Sequence, residues 1–129
     1  MSIELHMLAW SVLLGLVQVM LPTLLATGRY GLGWAAGPRD ADMPAAPTVA
    51  ARLDRARANF LETFPFFAAA VLAVIALQHH DETTALGAQA YFWARLVYVP
   101  VYAAGIPFLR TLVWLVSIVG IVMLLLPLL

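Results

Sequence analysis

The chain has no cysteine, and none of its seven basic residues is a lysine. The first absence excludes disulfides, thiolate metal sites and a cysteine nucleophile, and it leaves the redox compartment unreadable. The second leaves arginine as the sole strong cation, the side chain suited to bidentate carboxylate contacts and to pairing at interfaces. Charge of either sign is scarce. Charged residues make up 11% of the 129 positions, too few to coat a soluble surface, and the net charge of zero argues against a nucleic-acid partner. No internal repeat and no low-complexity tail is present. The N-terminal Met-Ser-Ile-Glu places no basic residue ahead of the first apolar run, which favours a retained span over a cleaved signal peptide.

What is abundant is apolar. The chain is 64% hydrophobic with a mean hydropathy of +0.92, against roughly 45–50% hydrophobic residues in soluble domains. The composition is that of an integral membrane protein in one all-α domain, a four-helix bundle with approximate spans 5–26, 48–78, 84–104 and 107–129. Pro22, Pro65 and Pro100 are expected to bend the first three. Gln18 reads as a helix–helix hydrogen bond and Gly120 as a point of close helix approach. Residues 27–49 hold Gly28, Gly31, Gly33, Gly37, Pro38, Pro44 and Pro47 and read as a loop, which also carries Arg29, Arg39, Asp40 and Asp42. Gly28-Arg-Tyr-Gly-Leu-Gly33 has the wrong spacing for a phosphate loop and follows no strand. His79-His80-Asp81-Glu82-Thr83 contains four potential metal ligands, but consecutive residues do not converge on one ion, so the stretch reads as a solvated turn and no metal site is assigned.

Arginines set the expected topology. Arg29, Arg39, Arg52, Arg55 and Arg57 lie on or beside the first loop and Arg110 near the third, while the second loop and both termini carry none. The positive-inside rule puts the Arg-rich end in the cytoplasm and both termini outside.

Candidate functional residues follow from helical spacing. On the second helix Arg52, Arg55, Asn59, Glu62 and Phe66 recur at steps of three and four and share one face. On the third, Tyr91, Arg95, Tyr98 and Tyr102 do the same, with Arg95 deep in the apolar run, and Arg110 stands one turn into the fourth. A polar stripe on a membrane helix needs a partner, because unpaired charge in hydrocarbon is expensive. Arg95 is the expected partner, with Glu62 pairing to Arg55 or Arg95 and Asn59 to a tyrosine hydroxyl. One reading is a structural ion-pair network. The excess of cations, Arg55, Arg95 and Arg110 against the carboxylate of Glu62, favours a site for a small carboxylate-bearing ligand.

Arg52 to Pro65 has the pattern R-x-x-R-A-x-x-N-x-x-E-x-x-P, and Ala94 to Tyr102 the pattern A-R-x-x-Y-x-x-x-Y. Both resemble the MAPEG family, the membrane-associated proteins of eicosanoid and glutathione metabolism that include the microsomal glutathione transferases. The stretches Gly37–Asp40 and Ala104–Arg110 are similar to its bacterial branch. The resemblance implies a homotrimer, in a bacterial inner membrane, with glutathione as co-substrate bound between neighbouring subunits. It implies that Arg55, Asn59, Glu62, Tyr98 and Tyr102 bind glutathione, joined by Arg95, and by Arg29 and Arg57 contributed by the neighbour. Arg110 would lie beside the sulfur as the catalytic residue. The implied activity is that of a glutathione transferase or peroxidase acting on a lipophilic electrophile or a lipid hydroperoxide. The alternative is a non-catalytic, lipid-binding trimeric scaffold. Several relatives have tyrosine directly after the motif glutamate, where this chain has Thr63.

Overall fold

The structure is a computed structural model that describes residues 2–39 and 48–129. Helix α1 spans Ile3–Tyr30, α2 Leu32–Ala36, α3 Thr48–Ala76, α4 Glu82–Ala104 and α5 Pro107–Leu125, which ends in a 3-10 turn over Leu126–Leu128. Among the described residues α1, α3 and the Pro107–Leu128 segment are each long and apolar enough to cross a membrane. Helix α4 has 23 residues, about 35 Å, enough length to cross, but no stretch of it is as apolar as those three. This is an integral membrane protein built of helices.

The boundaries have local causes. Ser2 opens α1 by accepting a hydrogen bond from the Leu5 amide at 3.3 Å. Helix α1 then runs to Tyr30, four residues past the expected Ala26, and α2 occupies part of the expected loop. Gly28 does not break α1, since an interior glycine costs a helix only about 1 kcal/mol. Gly31, at φ +92°, is where the chain turns. Asp40, Asp42, Pro44 and Pro47 of that expected loop lie outside the described residues. Helix α3 runs unbroken through Pro65, as α1 does through Pro22 and α4 through Pro100. Asp81 caps α4: its Oδ1 accepts from the Thr84 amide at 2.9 Å while the Thr84 hydroxyl accepts from the Asp81 amide at 2.7 Å. The histidine-acid turn thus serves as a helix start.

Helix α4 packs along α5 more extensively than any other pair, and α1 lies against α3 and α4. The contact between α4 and α5 depends on Gly87 and Gly120. A Cβ on Gly120 would lie 2.5 Å from the Gly87 carbonyl oxygen and 2.9 Å from the Tyr91 amide nitrogen. The expected close approach at Gly120 is therefore present. Phe60, Phe67, Val71, Ala88, Tyr91, Ile121 and Leu124 form the core, with Phe67 and Tyr91 stacked at 4.0 Å between ring centres.

Helix α1 is turned polar side inward. Glu4, Ser11 and Gln18, spaced by seven, are buried, whereas Trp10, Leu13, Leu16, Val17 and Leu24 are exposed. That inversion suits a hydrocarbon surround. The interhelical hydrogen bond expected of Gln18 does not form: both its amide atoms are buried without a partner.

Candidate functional site

The site is assembled by three helices and one tight turn. Helix α3 presents Arg55, Ala58, Asn59 and Glu62 on successive turns, as the spacing required. Helix α4 brings Tyr98 and Tyr102, and α5 brings Arg110, Thr111 and Trp114. These nine residues line one cavity of about 440 Å³, a volume in the ordinary range for small-molecule sites. Gly105 makes the junction between α4 and α5 at φ +75°, a left-handed cap that favours glycine. It also leaves room for Arg52, whose guanidinium a Cβ there would approach to 2.7 Å. Arg52 uses that room to donate from Nη1 to the Ala103 carbonyl at 3.2 Å, satisfying an acceptor at the end of α4. A smaller recess of about 170 Å³, lined by Arg52, Arg55, Tyr102 and Arg110 among others, continues the cavity past this turn.

Tyr102 is the hinge of the arrangement. Its hydroxyl accepts from Arg55 Nε at 3.2 Å, and its ring lies 4.9 Å from the Arg110 guanidinium carbon and 5.9 Å from that of Arg55. Tyr98 packs against it edge-on with ring centres 5.5 Å apart. Two cations therefore meet at one aromatic ring, each drawn by its quadrupole.

The structure brings together six of the nine residues expected at the site: Arg55, Asn59, Glu62, Tyr98, Tyr102 and Arg110. The other three lie elsewhere. Arg29 lines a separate recess between α1 and α3, beside Tyr30, Arg39 and Asp54. Arg57 is turned to Asp54, donating from Nε to Oδ1 at 3.0 Å. Arg95 is 1% exposed and sits behind the cavity wall, its guanidinium carbon 4.3 Å from the Tyr98 ring centre.

The expected ion pairs are corrected. Neither Arg55 nor Arg95 pairs with Glu62 among the described residues, because Arg55 turns to Tyr102 and Arg95 points into the chain's own interior while Glu62 lies on the exposed face of α3. Arg95 Nε, Nη1 and Nη2 have no hydrogen-bond partner, so it does not serve as partner of the α3 stripe. Asn59 Oδ1 is likewise buried without the tyrosine hydroxyl expected for it. Thr63, where several relatives have tyrosine, does not line the cavity: its hydroxyl bonds the Tyr91 hydroxyl at 3.0 Å in the core.

Sequence reasoning missed Ala58, Thr111 and Trp114. The signal for Trp114 was present, since it stands four residues, one helical turn, after Arg110 and shares its face.

No curated protein and no solved structure matches the chain. The family described as MAPEG family matches residues 7–129, nearly the whole length, and that span contains the α3 motif, Tyr98, Tyr102 and Arg110. The chain belongs to the MAPEG family.

Proposed function

We propose that this protein binds glutathione and activates its thiol toward a lipophilic electrophile or a lipid hydroperoxide. The observation that carries the reading is the single cavity shared by Arg55, Asn59, Glu62, Tyr98, Tyr102 and Arg110. Glutathione carries two carboxylates, one ammonium group and one thiol. The lining supplies two guanidiniums and one carboxylate, so the charges are complementary. Arg55 and Arg110 suit the carboxylates and the sulfur, Glu62 suits the ammonium, and the unpartnered Asn59 Oδ1 can accept from a peptide N–H.

The chemistry needs a thiolate. A free cysteine thiol has a pKa near ~8.5, so little is ionised at neutral pH. A guanidinium beside the sulfur favours the anion, and arginine stays protonated where lysine would not. Arg110 holds this role, with Tyr98 or Tyr102 as a lesser donor to sulfur. In conjugation the thiol gives its proton to solvent and the thiolate attacks an electrophilic carbon; a C–S bond forms as a leaving group departs with its bonding pair, or as a conjugated C=C bond opens and its far carbon takes a proton from solvent. In peroxide reduction two glutathiones are oxidised to the disulfide as the hydroperoxide becomes an alcohol and water.

The working form is a homotrimer in a bacterial inner membrane, with α4 as the fourth span, the arginine-rich end in the cytoplasm and both termini outside. Support comes from α3, which leaves Arg55, Ala58, Leu61, Glu62 and Phe66 uncovered by its own chain. A charged helix face cannot rest against lipid, and a neighbouring copy would cover it. Arg29 and Arg57, which lie outside their own chain's cavity, would then be placed to serve a neighbour's.

The test is titration of the purified protein with glutathione, followed by calorimetry and by thiolate absorbance in the ultraviolet at neutral pH. Wild type should bind and show thiolate. Arg110→Ala should bind but show none. Equal absorbance in both would remove Arg110 from the mechanism. Binding without thiolate in either would favour the non-catalytic scaffold, and no binding would refute the reading.

A further inference from the structure

Arg95 is the anomaly of the fold. Among the described residues it is the largest side chain with under 2% of its surface exposed, and none of its three guanidinium nitrogens has a hydrogen-bond partner there. Its own chain covers it, so neither a neighbouring subunit nor a lipid headgroup can reach it to neutralise it. The guanidinium packs instead between two rings, Tyr98 at 4.3 Å and Phe60 at 5.7 Å from its carbon to the ring centre. The unpartnered acceptors Asn59 Oδ1 and Gln18 Oε1 belong to the helices packed around it. Removing a charge from water without a counter-charge is strongly unfavourable, so this cation works against stability.

Its position gives it a use. Tyr98 is a wall of the cavity and itself 3% exposed, with Arg95 on its far side. One layer of side chain separates a fixed positive charge from the space that Arg55, Asn59, Glu62 and Arg110 line. In a water-poor interior that layer screens little.

We propose that Arg95 is a positioning residue for this site and not one of its ligands: from behind Tyr98 its uncompensated charge biases the cavity toward anions, and its stack fixes the Tyr98 ring in the wall. The inference rests on the cavity being an anion site, as the proposed function has it, but it does not require that the anion be glutathione. It predicts an inversion of the usual result for a buried arginine. An apolar side chain of similar length in its place removes an unpaired charge, so the fold should hold or gain stability while the cavity loses its preference for negative ligands.

The test uses full-length protein in detergent in which Trp10, Trp34 and Trp93 are replaced by phenylalanine, leaving Trp114 of the cavity lining as the only indole. Quenching of its fluorescence by iodide, an anion, is compared with quenching by neutral acrylamide. Arg95→Met should lower the iodide-to-acrylamide ratio several-fold, Arg95→Lys should restore it, and the melting temperature of Arg95→Met should not fall. In the otherwise native chain, Arg95→Met should also weaken glutathione on the order of tenfold, the effect of one charge across one side-chain layer, while affinity for the glutathione diethyl ester, whose only charge is its ammonium group, does not fall. An unchanged quenching ratio in folded Arg95→Met would overturn the proposal. So would a lower melting temperature or failure to fold, because Arg95 would then be structural glue. If wild type binds no glutathione and yet the quenching difference holds, the glutathione reading falls and this one stands.

Discussion

A methyl group added at Gly120 tests the packing that carries the site. Its carbon would lie 2.5 Å from the Gly87 carbonyl oxygen and 2.9 Å from the Tyr91 amide nitrogen. Comfortable contact begins near ~3.5 Å, so α4 and α5 must separate by about 1 Å, and both obstacles are backbone atoms that cannot rotate aside. Overpacking of this kind costs about 1–3 kcal/mol. Gly120→Ala in detergent should therefore melt at least about 3 °C below wild type, followed by circular dichroism. The matched control is Gly28→Ala, also within a helix, where the added carbon meets nothing within 4 Å. That variant should be neutral or up to about 1 kcal/mol more stable, since alanine is the better helix former. The site should be nearly untouched. Arg110 stands ten residues from Gly120, about 15 Å along α5, beside the Gly105 turn that ties α4 to α5. Helices forced apart at the far end pivot about that tie, so glutathione affinity should change little. Equal melting of Gly120→Ala and wild type would refute the argument, and so would a loss of binding larger than the loss of stability.

Arg55→Ala should weaken glutathione at least about tenfold by calorimetry, through loss of a charge-assisted hydrogen bond, while the mass of the assembly in nanodiscs, a trimer on the proposed reading, is unchanged; normal binding in a protein that dissociates would mean that Arg55 holds subunits and not ligand. Thr63→Val should leave the Tyr91 hydroxyl buried without its 3.0 Å partner and lower stability by about 1–3 kcal/mol in thermal unfolding. Glutathione affinity should not move, because neither residue lines the cavity; a loss of affinity would place Thr63 in the site.

Most of the site could be read from spacing, because a helix converts sequence interval into a face. Arg55, Asn59 and Glu62 had to be neighbours once α3 was a helix, and so did Tyr98 and Tyr102. What spacing could not give was rotation. Arg95 falls on the same stripe as Tyr98 and Tyr102, yet that stripe wraps from the cavity to the interior, and Arg95 ends on the inner side. The sign of a pair was likewise legible and its partner was not. Glu62 looked like the natural counter-charge for Arg55, but the two stand seven residues apart, about 10 Å along α3, and a tyrosine hydroxyl from another helix lay nearer. The extra turns of α1 were hidden by glycines, which end a helix where φ turns positive, as at Gly31, and are tolerated where it does not, as at Gly28. The polar face of α1 went unread for a related reason. Glu4, Ser11 and Gln18 are spaced by seven among apolar residues, and only the knowledge that lipid lies outside tells which side turns inward.

On the proposed reading, Tyr102 prepares the cavity for an anion before one arrives. Arg55 donates to its hydroxyl while Arg110 lies over its ring, so one side chain fixes two like charges on the same wall. Arg52, held at the Ala103 carbonyl, adds a third cation to the adjoining recess. None of these forms an ion pair among the described residues, and their repulsion is set against only modest ring and hydroxyl contacts. Glu62, the one carboxylate of the lining, has no ion-pair partner among the described residues and stands at the opposite end of the α3 stripe. The separation of charge along α3 is therefore built before binding: cations at the turn between α4 and α5, an anion about 10 Å away. A zwitterionic peptide with its glycine carboxylate toward the turn and its γ-glutamyl ammonium group toward Glu62 relieves both imbalances at once. The same peptide reversed would meet repulsion at each end. On the proposed reading, orientation is thus decided by charge order along one helix, and the sulfur is delivered to Arg110 because the backbone on either side of it is already anchored.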